Sequence, residues 1–104
     1  MERAALIDAL ESWYGSRRSS LESKAFDTNL HHGPEAPVGN KSLARVDVDG
    51  ASRLGSVTLW DTGETEVSVI EYPSEEEVLT ISLVLKTASE LHETMEKFVT
   101  AVTG

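Results

Sequence analysis

No cysteine occurs among the 104 residues. That excludes disulfides, thiolate nucleophiles and cysteine-ligated metals, and it agrees with a reducing compartment. No stretch approaches the ~18 consecutive apolar residues that cross a membrane as a helix. The N-terminal "MERAALIDALESW" mixes charged and apolar residues too early for a signal peptide, so a cytoplasmic location is expected. Basic residues are scarce in one half only. Residues 1 to 60 hold eight acidic and seven basic side chains, net −1, whereas residues 61 to 104 hold ten acidic and two basic, net −8; together they give the chain's −9. Such a surface repels phosphates, which argues against nucleic acid and against anionic membrane. It favours a basic protein surface, where charge complementarity speeds encounter, although acidity also serves solubility alone.

What is present is enough for one domain spanning residues 1 to 104. A chain of this length buries roughly 65% of the surface its unfolded form exposes, which is one core. "ERAALIDALESWY" reads as an amphipathic helix, with Leu6, Ala9, Leu10 and Trp13 at helical spacing and Ile7 and Tyr14 at the edge of the stripe. Gly15 is expected to loosen it, and "SRRSSLES" leaves its end undefined. "AFDTNL" alternates Phe26, Thr28 and Leu30 as a short first strand. "HHGPEAPVGNKS" reads as a loop, with His31 and His32 in it. Three alternating runs follow: "LARVDVD", "RLGSVTLW" and "ETEVSVIEY". "PSEEE" is expected to break the ladder as an exposed connection. "VLTISLVLK" is the last strand, with Leu79, Ile81, Leu83 and Leu85 on one face. Thr87 and Glu90 form a capping box that opens a second helix with the stripe Leu91, Met95, Phe98, Val99 and Val102.

Register determines the central turn. A two-residue loop would oppose Val57 to Ser68 and mix the faces. Three residues, Asp61-Thr62-Gly63, oppose Val57 to Val67 and Leu59 to Thr65, which keeps one face apolar and places Gly63 where such a hairpin needs a left-handed residue. The expected fold is α+β in two layers: an N-terminal helix, an antiparallel meander of about five strands, and a C-terminal helix packed on one face. Two helices cover only the Val57/Val67 face. The other, wet face carries Arg45, Asp47, Leu54, Ser56, Thr58, Trp60, Glu64, Glu66, Ser68, Ile70 and Tyr72.

Catalytic patterns are weak. His31 and His32 lack metal-ligand spacing such as HxH or HExxH, and a solvated His92 is expected on the flank of the second helix. Asp61, Glu64 and Glu66 lie close by register, but carboxylates at a hairpin tip ordinarily only solvate it. No glycine-rich phosphate loop precedes a helix. Neither catalysis nor any cofactor or metal is expected. Exposed aromatics stand out instead: Trp60 beside Leu54 and Ile70 inside an acidic rim has the composition of a binding hot spot. The competing reading has the tail or the 31-to-42 loop covering Trp60, or its ring only strengthening cross-strand packing with Glu64.

"RLGSVTLWDTGETEVSVIE" resembles the central hairpin of TriTu-type immunity proteins: a strand led by small residues, a Leu-Trp-Asp/Glu-Ser/Thr-Gly turn, and a strand ending in an acidic residue. The layout of helix, "VDVD"-like strand and closing helix is similar, from about residue 43 onward and more loosely in the first helix. The "HHGPEAPVGNKS" loop has no counterpart in the resemblance, and no interface residue carries over from it. The resemblance implies a cytoplasmic antidote that binds and blocks a toxin domain delivered by a polymorphic effector, the toxin being an ADP-ribosyltransferase acting on elongation factor Tu. The partner expected is a cognate toxin domain with a basic surface, bound one-to-one by a protein that is monomeric when free. The expected partner-binding residues are Trp60, Asp61, Glu64, Glu66 and Tyr72, with Glu75, Glu76 and Glu77. Two other classes remain at this point: a small acidic secretion-type chaperone holding a client segment, and a small enzyme using carboxylates with His31 or His32.

Overall fold

Strict alternation of small and branched apolar residues builds the sheet. The computed structural model describes residues 4–32, 43–60 and 62–103; the 33–42 part of the expected loop, Asp61 and Gly104 lie outside them. The elements are α1 (Ala4–Ser23), β1 (Asp27–His32), β2 (Leu43–Asp49), β3 (Arg53–Trp60), β4 (Glu64–Glu71), β5 (Glu76–Val84) and α2 (Ala88–Thr103). The five strands run in order β1-β2-β3-β4-β5, every neighbour antiparallel. Val57 opposes Val67 and Leu59 opposes Thr65, the register expected from the hairpin. Ala44, Val46, Val48, Val57, Leu59, Val67 and Val69 are fully or almost fully buried, each fully buried valine or leucine stabilising the fold by roughly 1.5–3 kcal/mol relative to exposure.

Both helices lie on that one face. α1 packs over β1 and β2, α2 over β3 and β4 and more lightly over β5. Leu6, Ile7, Leu10, Trp13, Tyr14 and Leu21 come from α1, and Leu91, Met95, Phe98 and Val102 from α2. The capping box forms: the Glu90 amide donates to Thr87 Oγ1 at 3.1 Å, and Glu90 Oε1 accepts from the Thr87 and Lys86 amides. At the other end of α2, Arg53 Nη1 donates to the Ala101 carbonyl at 2.6 Å, where a cation complements the helix's C-terminal carbonyls.

Three expectations are corrected. The first helix does not loosen at Gly15. It continues to Ser23 because Leu21 extends its buried stripe. It ends in a Schellman arrangement, with Phe26 N–H on the Leu21 carbonyl, Ala25 N–H on the Glu22 carbonyl, and Ala25 left-handed at φ 69°. The usual glycine is missing there, so the end carried no sequence signal. Second, His31 and His32 are not in a loop: they complete β1, opposite Arg45 and Ala44. Third, "PSEEE" breaks the ladder only through Glu75. Glu76 and Glu77 open β5 opposite Glu71 and Ile70, because the reversal is completed within residues 72–75, where Glu75 takes φ 59°.

The second helix fits the sheet through one missing side chain. A Cβ on Gly55 would stand 2.6 Å from Phe98 Cε1 and 3.1 Å from Val102 Cγ2. Gly55→Ala is therefore expected to cost about 1–3 kcal/mol, the usual range for overpacking, in urea denaturation. A compensating Phe98→Leu should recover part of that loss; equal stability of Gly55→Ala and wild type would contradict this packing.

The helices are also clasped to each other. Glu96 Oε2 accepts from Arg17 Nη2 at 2.6 Å and from Trp13 Nε1 at 3.3 Å. Burial pushes the Glu96 carboxyl up, but the bonds from Trp13 and Arg17 and the charges of Arg17 and His92 outweigh it and hold the group below 4.5. A depressed folded value means stability that is present above pH 4.5 and lost as the pH falls through the folded value. Both partners are more than a third exposed, so solvent screening limits the gain to about 1 kcal/mol or less. Glu96→Gln should thus destabilise at pH 7 and the difference from wild type should close in acid; a gap that widens in acid reverses the sign of this coupling.

Candidate functional site: the open face of the sheet

The side of the sheet away from the helices can be laid out from register. One end row runs Asp27, Asp49, Leu54, Ile70 and Glu77 across the five strands. The next is Asn29, Asp47, Ser56, Ser68 and Thr80, followed by His31, Arg45, Thr58, Glu66 and Ser82. At the far end Leu43 opposes Trp60, and Glu64 opposes Val84. The face is thus apolar at two ends, small and hydroxylated in the middle, and acidic around its margin.

Arg45 does not neutralise this face. Its Nε donates to Asp47 Oδ1 at 2.8 Å, and His31 Nε2 lies 3.2 Å from Asp47 Oδ2. Asp27, Asp49, Glu66 and Glu77 remain in excess. Asp27, Asp47 and Asp49 line a shallow hollow of about 320 Å³ with Arg45, Leu54 and Ile70. Among the described residues, no three His, Asp or Glu side chains converge in a way that could hold a metal ion.

Trp60 is half-buried, and Leu83 and Val84 sit with it around a second hollow of about 300 Å³, rimmed by Glu64 and Glu66. The turn that presents it is tightly made. The Gly63 amide donates to the Trp60 carbonyl at 2.9 Å, and Thr62 Oγ1 donates to Glu64 Oε1 at 3.1 Å. Trp60 and Leu54 do not form one apolar spot, contrary to the expectation above. They sit six positions apart on β3, about 20 Å at roughly 3.3 Å per residue. The apolar neighbours of Trp60 are instead Leu43 and Val84.

The expected partner-binding residues fall into two groups. Trp60, Glu64 and Glu66 lie at the β3–β4 end, and Asp61 is outside the described residues. Tyr72, which is 40% exposed, and Glu75, Glu76 and Glu77 lie at the β4–β5 end. The nearest members, Glu66 and Glu77, are separated along the sheet by the four positions from Glu66 to Ile70 of β4, about 13 Å. One interface of about 800 Å² per partner can span both. Leu43, Val84, Asp27, Asn29 and Asp49 were missed. Alternation in "LARVDVD" already placed Asp49 on this face; β1's residues needed a register that the long β1–β2 connection hides.

The chain is thus a two-layer α+β module with one helix-covered face and one acidic open face. The sequence profile of the TriTu immunity proteins matches residues 8–101, and the chain belongs to that family. The match extends the resemblance from the central hairpin through most of α1. None of the curated proteins compared matches the chain.

The two tryptophans should behave differently in solution. Trp13 is 6% exposed under the helices, and Trp60 is the accessible one. Acrylamide is expected to quench two populations in wild type and only a protected one in Trp60→Phe. In melts, Trp60→Ala should cost less than Phe98→Ala, for which a core aromatic predicts about 3–5 kcal/mol. A collapsed fold in Trp60→Ala would make that ring structural.

Proposed function

We propose that the protein is the antidote to a cognate toxin domain, which it binds one-to-one through the open acidic face and thereby blocks. The toxin, in this reading, is an ADP-ribosyltransferase acting on elongation factor Tu, and its docking surface is basic. The supporting observation is the half-buried Trp60 within a carboxylate rim, on a sheet face that neither helix covers, in a chain of the TriTu immunity family. A large ring that completes its burial against a partner, with charged groups excluding water around it, is how hot spots gain their energy. Occlusion requires no reacting group on the antidote. The acidic rim raises the encounter rate with a basic partner and sets its orientation.

Co-expression with the toxin domain encoded beside it should restore growth and yield a co-purifying complex of ~nanomolar affinity or tighter, in the range of tight inhibitor complexes. Trp60→Ala should weaken that complex by ~2 kcal/mol or more while the domain stays folded. Joint charge reversal of Glu64 and Glu66 should slow association, and rising salt should slow it in wild type as well. Failure to rescue growth and to co-purify would falsify the antidote reading. Full binding by folded Trp60→Ala moves the docking surface to the Tyr72–Glu77 end.

A further inference from the structure

The two outer strands of the sheet are built differently. β1, "DTNLHH", is short and polar. Residues 78–85, "VLTISLVL", contain no charge and no proline, so beyond its two opening glutamates and the irregularity at Val78 β5 lacks the devices that usually blunt a sheet edge. The Leu85 amide donates to the Gly63 carbonyl at 2.8 Å. In an antiparallel ladder the backbone groups of successive residues point alternately toward and away from the neighbour. Leu79, Ile81 and Leu83 therefore aim theirs at β4, and Thr80, Ser82 and Val84 aim theirs outward, where no described strand receives them. On the helix side, Leu79, Ile81 and Leu83 are only partly buried, because α2 reaches β5 lightly. On the open side, Val84 is 57% exposed and Val78 37%.

We propose that this edge pairs antiparallel with β5 of a second copy, the two-fold axis passing through Ile81, so that two five-stranded sheets become one. The occupant is argued from self-complementarity. About Ile81, Leu79 faces Leu83 of the second copy and Ile81 faces itself, which completes the half-covered apolar row. Thr80 faces Ser82, and their outward amides and carbonyls exchange hydrogen bonds. At the flank Val84 reaches the irregularity at Val78, where the regular pairing ends. Centring the axis on Ser82 instead sets Leu79 against Leu85, which is already buried in the core, so the apolar row is not completed. A one-residue shift is excluded, because outward-aimed groups would then face groups aimed at β4. The irregularity between Val69 and Ile70 that sets Val78 out of register with β4 confines the regular new ladder to residues 79–83. This pairing is independent of the antidote reading and leaves most of the open face available.

Sedimentation of the isolated protein at rising concentration tests the proposal. A monomer–dimer equilibrium is expected that tightens with salt, since two copies of net −9 repel. The absence of cysteine makes single-cysteine trapping clean. Ile81 opposite Ile81 is a pair without mutual hydrogen bonds, Cα atoms about 4.5 Å apart, within disulfide reach. Ile81→Cys should therefore cross-link under mild oxidation, and Val84→Cys should not, its copies lying about 20 Å apart along the strand. A monomer at every concentration and salt, or a dimer that Ile81→Cys fails to trap, overturns the proposal.

Discussion

Gly63 joins three strands at one point. Its amide closes the turn on the Trp60 carbonyl. Its carbonyl accepts both the Leu85 amide and the Thr65 hydroxyl. Its backbone is left-handed at φ +93°, and a Cβ there would run into the Leu85 carbonyl oxygen. Only glycine meets both conditions without strain. The consequence reaches well beyond the turn. A slip of one residue between β3 and β4 would send Val57, Leu59, Val67 and Val69 to the open face and bring Thr58, Glu66 and Ser68 under the helices. The core, the seat of α2 and the acidic face all follow from the register that this junction secures.

From that register comes the division of labour between the faces. Valines and small residues make a flat, close-packed layer on one side, and Gly55 leaves the space into which Phe98 settles. Two helices are enough to cover that layer and no more. The opposite face has hydroxylated residues at its centre, where bulk is absent, and carboxylates at its margin. Such a face carries an excess of negative charge. Trp60 is half-buried there, with Leu43 opposite it on β2 and Val84 at the same hollow.

The strand ends show how local chemistry and tertiary demand share control. Thr87 and Glu90 start α2 by a signal visible in four residues. α1 is closed off at Ala25, in a conformation that alanine disfavours, held by the burial of Leu21 and by the backbone bonds of Ala25 and Phe26. β5 begins with Glu76 opposite Glu71, a like-charge pair that opposes pairing; the apolar run from Leu79 to Leu83 outweighs it, and exposure to water reduces its cost.

Much of this was legible from the chain alone. Alternation in "LARVDVD", "RLGSVTLW" and "ETEVSVIEY" assigns inward residues directly, since period two is unambiguous once one face is apolar. The three-residue turn followed from requiring both strands to agree, and the capping box and the helix stripes from the 3.6 period. The family resemblance likewise rested on a contiguous hairpin. Tertiary structure decided what depends on distant residues meeting. His31 and His32 became strand because β2 offered them partners across an intervening connection of any conformation. Gly15 stayed helical because Leu21, further along, had a core to join. Trp60 found Leu43 and Val84 rather than Leu54 and Ile70, because sharing a face says nothing of position along it. Local sequence dictates which side of an element a residue occupies; which neighbours it meets there is settled only when all the strands are in register.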